Sequence, residues 1–160
     1  MTLGFAPHNH GTCIRSGLAS VERACAQRGL QFTPVRRRVM EILLDRHKAL
    51  GAYDILEVLR SEGLGSQPPV AYRALDFLVR HGFAHRVEQL NAFVACSLPD
   101  RDHAPAFLIC RDCGAVSEAP SAPVAGPLAQ AANDAGFVIE EAVVEVRGLC
   151  PDCAQKGQPT

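Results

Sequence analysis

The stretch PPVAYRALDFLVRHGFAHRVEQLNAFVA, residues 68–95, decides the fold. Two hydrophobic periods meet inside it. Up to Arg80, the apolar residues Ala71, Leu75 and Leu78 recur at helical spacing behind a Pro-Pro pair that suits a first helical turn. Gly82 ends that run. Beyond it Phe83, His85 and Val87 alternate, a turn falls near 89–91, and Phe93 and Ala95 alternate again. Period two, a turn and period two make a β-hairpin. A helix running into a hairpin closes a winged helix-turn-helix when short helices precede it.

Such helices are present upstream. Leu18, Val21 and Cys25 lie at helical spacing, with Gly29 as a stop. Thr33-Pro34 opens a second helix: the Thr oxygen caps it and Pro fits its first turn. Val39, Ile42 and Leu43 form that helix's apolar face. Arg36, Arg37 and Arg38 crowd its first turns, where the helix dipole prefers acids, so their charge has another use. A third helix reads over 52–60 with Ile55, Leu56 and Leu59 on one face, and Gly63-Leu-Gly-Ser66 breaks it. The helix over 70–80 is then the recognition helix, with Tyr72 and Arg73 near its start. Arg reads guanine or binds phosphate, and Tyr meets thymine methyls or the backbone. A small α+β domain without this role has the same pattern.

Downstream, residues 97–105 are polar and turn-rich, a linker. A strand over 106–110, another over 115–118, a helix over 127–135 stopped by Gly136, and a strand over 137–147 follow. This half is too small to bury much core alone, so a staple or a partner is expected. Cys110-Arg-Asp-Cys113-Gly and Cys150-Pro-Asp-Cys153 provide the staple. Two residues between thiolates let both sulfurs turn onto one ion, and two such pairs make the tetrahedral sulfur set of structural zinc. The 36 residues between the pairs hold a strand–helix–strand unit whose ends the metal would tie together. Independent redox dithiols are the competing reading, yet a redox CxxC sits at a helix start after a strand, and Cys150–Cys153 lies near the end of this chain.

His85, Cys96, His103 and Glu118 form a second group around the junction of the two halves. All are competent ligands, and together they make an N/S/O set suited to zinc. Spacing alone leaves the bland readings open: a hairpin histidine, a small buried hydrophobe, a linker histidine, a strand-end charge.

Composition agrees with a globular protein. Apolar residues make up 48% of 160 and charged residues 21%, and no apolar run is long enough to span a bilayer. The N-terminus lacks a basic segment followed by an apolar run, so a cytoplasmic location is expected. Seven cysteines, an odd number, argue against a closed disulfide framework. The net charge of −1 hides an asymmetry: residues 1–90 carry 12 Arg/Lys against 8 Asp/Glu, and residues 91–160 carry 4 against 9. Only the first half is fit to meet a polyanion.

Thr33-Pro-Val-Arg36, Pro68-Pro-Val-Ala-Tyr-Arg-Ala-Leu75, Gly82-Phe-Ala-His85, Cys110-x-x-Cys113-Gly and Gly148-Leu-Cys150-x-x-Cys153 resemble the ferric uptake regulator family of bacterial metal-sensing repressors. Ala52-Tyr53-Asp54, the segment 72–78 and Cys96 resemble its zinc-sensing branch. Val70 departs from the family's usual Thr. The resemblance implies an α+β chain with an N-terminal winged helix and a small C-terminal α/β dimerisation domain. It implies a homodimer, a double-stranded and palindromic DNA operator, no membrane, no small organic substrate and no enzymatic activity. It implies two zinc ions per chain: structural zinc on Cys110, Cys113, Cys150 and Cys153, and regulatory zinc on His85, Cys96, His103 and Glu118. DNA contacts carry over to Tyr53, Tyr72 and Arg73, with Arg36 on phosphate. The expected segments are a flexible arm (1–15) holding His8, His10 and Cys13, a winged helix (16–95), a hinge (96–105), a zinc-stapled domain (106–155) and a tail (156–160). An iron, manganese or peroxide sensor on the same fold is the alternative, though a soft thiolate at Cys96 favours zinc.

Overall fold

The computed structural model describes residue 5 and residues 10–46, 48–97, 99, 103–119 and 126–156. They fall into two compact units, one within Ala6–Arg101 and one carried by Asp102–Thr160. The first contains α1 (His10–Arg28), α2 (Pro34–Asp45), α3 (Ala52–Ser61) and α4 (Pro68–Arg80), then strands β1 (Ala84–Val87) and β2 (Ala92–Ala95). Thr33 caps α2, its side chain accepting from the Arg36 N–H at 3.4 Å, with Pro34 in the first turn. Asp54 reaches back to the Gly51 N–H at 3.1 Å and closes the start of α3. Val21 of α1, Val39 and Leu43 of α2, Ile55 and Leu59 of α3, and Leu75 and Leu78 of α4 converge in one core.

β1 and β2 pair antiparallel, His85 opposite Val94 and Ala84 opposite Ala95, around a 3-10 turn over Glu88–Leu90 and Asn91 in the left-handed region at φ 45°. Leu50 and Phe93 exchange both backbone bonds, at 2.9 and 2.8 Å, which anchors the hairpin beside the α2–α3 connection. Four helices and a hairpin are the winged helix-turn-helix expected, and α4 is its recognition helix.

One expectation for this unit needs correction. The flexible arm was expected to reach residue 15, but α1 opens at His10. Ile14 packs on the core one turn before Leu18, so the apolar stripe Ile14-Leu18-Val21-Cys25 begins earlier than the arm's end. Cys13 therefore sits on α1, whereas His8 and the His10 side chain lie outside the described residues. The arginine cluster of α2 has partners within this unit. Arg37 pairs with Glu22 of α1 and with Glu41, and Arg38 grips Glu62 through two bonds of 2.7 Å and Glu41 at 3.1 Å. The Arg38 fork holds the Glu62 carboxyl below its ordinary range. Arg36 donates to the Gln31 carbonyl and lies 3.8 Å over the Phe77 ring. The charge in the first turns of α2 thus binds α2 to its neighbouring helices.

The second unit contains β3 (Ala106–Cys110), β4 (Val116–Ala119), α5 (Pro127–Asp134), β5 (Val144–Gly148) and α6 (Pro151–Lys156). β3 is central: β4 pairs with it antiparallel, β5 parallel. The strand expected over 137–147 is confined to Val144–Gly148. β3 begins at Ala106, opposite Val144, so the residues before Val144 have no strand to pair with. Phe137 and Val138 accordingly stand 66% and 79% exposed. Phe107, Ile109 and Val116 supply the small core.

Leu78 is fully buried at the centre of the helical core. Leu78→Ala is expected to cost about 2–5 kcal/mol in urea denaturation followed by helical circular dichroism. A loss below about 0.5 kcal/mol, the range of a surface substitution, would contradict this packing.

Candidate metal centres and recognition surface

Parallel strands end on the same side of a sheet, and this brings the two CxxC pairs together. Cys110 closes β3 directly opposite Gly148, the last residue of β5, and Cys150 follows two residues on. The Arg111 N–H donates to the Gly148 carbonyl at 2.9 Å and the Gly114 N–H to the Cys110 carbonyl at 3.0 Å, with Gly114 at φ +71°. The left-handed turn at Gly114 folds the backbone after Cys113 back onto the Cys110 carbonyl. Cys153 is delivered by α6, which the sequence reading did not include. The signal was available: each CxxC follows a strand end, so convergence of the two requires parallel strands.

The ligand atoms of Cys110, Cys113, Cys150 and Cys153 all lie within 4.8 Å of one another, and the Cys113 and Cys150 sulfurs are 3.7 Å apart. Four sulfurs at such separations match a tetrahedral thiolate site. Backbone N–H groups prepare it electrostatically. Those of Cys113 and then Cys150, the latter 3.3 Å from the Cys110 sulfur, bring the Cys110 thiol down to about 6. Cys153 is pushed up to about 12, first by its hydrogen bond with Cys150 and then by burial. One thiol ionises readily and the last resists, because four thiolates together repel unless a cation joins them. The donor set and its spacing fit zinc.

The second group has two residues in each unit. On the hairpin, His85 stands opposite Val94, so Cys96, two residues further on, is its diagonal neighbour on the same face. The Cys96 N–H donates to the Phe83 carbonyl at 2.9 Å, carrying the ladder one step past β2. Ala84, Phe93 and Ala95 belong to the other face, against the helical core. In the second unit, Glu118 lies on β4 opposite Phe107, and its Oε1 is 2.5 Å from His103 Nε2. Each unit therefore presents two adjacent candidate ligands: an imidazole with a thiol, and an imidazole with a carboxylate.

The recognition helix turns Ala71, Ala74, Leu75 and Leu78 inward and leaves Tyr72 and Arg73 exposed. Tyr72 is 47% exposed, and Tyr53 on α3 is 70% exposed. Among the described residues, Arg73 has no hydrogen-bond or ion-pair partner. It is the arginine of α4 left open to an outside ligand, since Arg80 pairs with Asp76.

These features define a winged-helix protein with a four-cysteine candidate metal site in its second unit. The Ferric uptake regulator family matches residues 27–147. The chain is 40% identical over 145 residues to the zinc uptake regulation protein of Escherichia coli (strain K12), covering 90% of this chain and 85% of that protein. A solved zinc uptake regulator complexed with zinc and DNA superposes with a TM-score of 0.83 at 39% identity, over 89% of this chain and 96% of that one. The crystal structure of holo XcZur gives 0.78 at 41% identity, over 88% and 98%. The chain belongs to the ferric uptake regulator family.

In metal-free protein, alkylation of Cys110 is expected to rise with pH around 6 and that of Cys153 to come last. A lowered thiol pKa means that the thiolate's contacts exist above the ordinary value and are lost as pH falls through about 6. Protons compete with a metal for these sulfurs, so metal retention should weaken as pH falls. Peptide-resolved alkylation against pH checks this; equal profiles for Cys110 and Cys153 would contradict it.

Proposed function

We propose that this protein is a zinc-responsive, DNA-binding transcriptional repressor of zinc-uptake genes that acts as a homodimer. The observation that carries the reading is the coexistence, in one chain, of an open Tyr72-Arg73 pair on a recognition helix with donor sets suited to zinc. Cys110, Cys113, Cys150 and Cys153 hold a structural ion that substitutes for missing core. His85 and Cys96 from the winged helix, and His103 and Glu118 from the second unit, share a regulatory ion, which makes two zinc ions per chain. Bound zinc supplies a positive charge and directional bonds to these donors. The Cys96 thiolate favours zinc over iron or manganese, which are better served by nitrogen and oxygen donors alone.

Ligands drawn from both units restrict the freedom of one unit relative to the other. In a dimer that freedom governs the separation of the two recognition helices, which must match two half-sites of a palindromic operator. If about 1% of zinc-free molecules hold the competent arrangement, zinc raises apparent DNA affinity by up to about 100-fold. Arg73 reads a base, with Tyr72 and Tyr53 beside it. The supports for a second copy are the edge position of β5 and the apolar residues exposed around it, Phe137, Val138, Val143, Val146 and Leu149. Among the described residues no helix is long and apolar enough to cross a membrane, and the repressor would act in the cytoplasm, binding DNA without catalysing a reaction.

A zinc titration of binding to a duplex selected from a randomised pool tests the reading. Wild-type protein should bind only as free zinc rises, and binding that ignores zinc would sink the proposal. Cys96→Ser should keep the fold and the structural ion yet need more free zinc, because a hydroxyl is a poorer ligand than a thiolate. Arg73→Ala should lose about 1–3 kcal/mol on the selected duplex and little on random DNA. Equal losses on both would make Arg73 a phosphate contact.

A further inference from the structure

The C-terminal end of α4 is gripped by arginines from two other helices. Arg28, the last residue of α1, donates from Nη1 to the His81 carbonyl at 3.1 Å and from Nη2 to His81 Nδ1 at 3.3 Å. Its guanidinium also lies 5.7 Å from the centre of the Phe83 ring. From α2, Arg36 covers Phe77, whose ring meets the His81 imidazole at 4.7 Å. The same turn carries the closing backbone bonds of α4: His81 N–H to Phe77 at 3.1 Å, Gly82 N–H to Val79 at 3.1 Å and Phe83 N–H to Leu78 at 2.8 Å. Arg37 and Arg38 take glutamates, but Arg28 and Arg36 have no carboxylate partner among the described residues. Both guanidiniums pack against this helix end.

We infer that Arg28 is a positioning residue for the recognition helix: its fork onto the carbonyl and imidazole of His81 fixes the end of α4, and so the angle at which Tyr72 and Arg73 are presented. The inference rests on the DNA-binding reading above and assigns a role outside both metal centres. Its chemistry has a direct consequence. A guanidinium only donates, so Nδ1 must carry the lone pair and the neutral imidazole keeps its proton on Nε2. Protonation of His81 turns Nδ1 into a donor facing a donor. It also places a further cation among Arg28 of α1, Arg36 of α2 and Arg80 of α4, the charged groups around it. Cys25, the titratable group near Arg28 and Arg36, is kept a neutral thiol by burial. Burial, then Arg28, Arg80 and Arg36, hold His81 below its ordinary value. For a base with a lowered folded value, the contact is complete above the ordinary value of about 6.5 and is lost as pH falls through the lowered one.

Hydrogen exchange on full-length, zinc-loaded protein tests this, read at the His81, Gly82 and Phe83 amides and corrected for intrinsic rates. Arg28→Met should speed exchange there about tenfold, and weaken binding to the selected duplex about tenfold, with zinc content unchanged. Wild-type protection should decline at acid pH, and both Arg28→Met and His81→Gln should abolish that decline. A packing role alone would leave the pH profile intact. Arg28→Lys keeps the charge over Phe83 but loses the fork; it should fold normally and still exchange faster than wild type. Wild-type exchange in Arg28→Met, or an unaltered pH profile in His81→Gln, would overturn the inference. A wild-type protein that selects no duplex would instead remove the DNA-binding reading, while exchange would still decide whether Arg28 holds this end of α4.

Discussion

Parallel pairing of β3 with β5 is the contact on which the second unit depends. It sets Cys110 beside Gly148 and so brings two cysteine pairs, separated by 36 residues of chain, onto one point. Antiparallel pairing would send the knuckles to opposite ends of the sheet. The pairing costs loop-closure entropy that Phe107, Ile109 and Val116 do little to offset. Four converging sulfurs would, on binding zinc, add a strong cross-link where the core is thin, and the backbone N–H groups at Cys110 lower the proton competition for the first of them. In this unit the pairing that makes the sheet also gathers the four sulfurs.

The winged helix is stabilised differently. Its core is continuous from α1 to α4, and the charges of α2 act as ties between helices. Three consecutive arginines have three destinations: an aromatic face, a glutamate on α1 and a glutamate following α3. This leaves the outer face of α4 with little competition for an outside ligand. A recognition surface needs that condition, since an arginine paired within its own domain must break the pair before it can meet a base.

Periodicity made the helices, the hairpin and its turn legible, because a buried face imposes period 3.6 or period two on the sequence. The convergence of the four cysteines was legible because CxxC spacing is itself geometry. Three things were not. The start of α1 rested on Ile14 alone, one apolar residue among polar neighbours. The length of β5 depended on the length of β3, its partner, and alternation upstream of Val144 cannot reveal a missing partner. The Arg36 contact with Phe77 was invisible because a guanidinium leaves no trace in sequence of which ring, carboxylate or phosphate it meets. The hairpin register carries one detail beyond composition: His85 and Cys96 share a face because the residues opposite alternate with the same period.

The coupling of zinc to DNA is tested most directly by its reciprocity. Zinc affinity of the regulatory site, measured by chelator competition with the structural ion in place, should be tighter in the presence of saturating selected duplex. Linkage requires the tightening to equal the factor by which zinc strengthens DNA binding. Equal factors, up to about 100-fold, are the expected result. A zinc affinity that DNA leaves unchanged would mean that the ion does not govern DNA binding and would contradict the role assigned to His85, Cys96, His103 and Glu118.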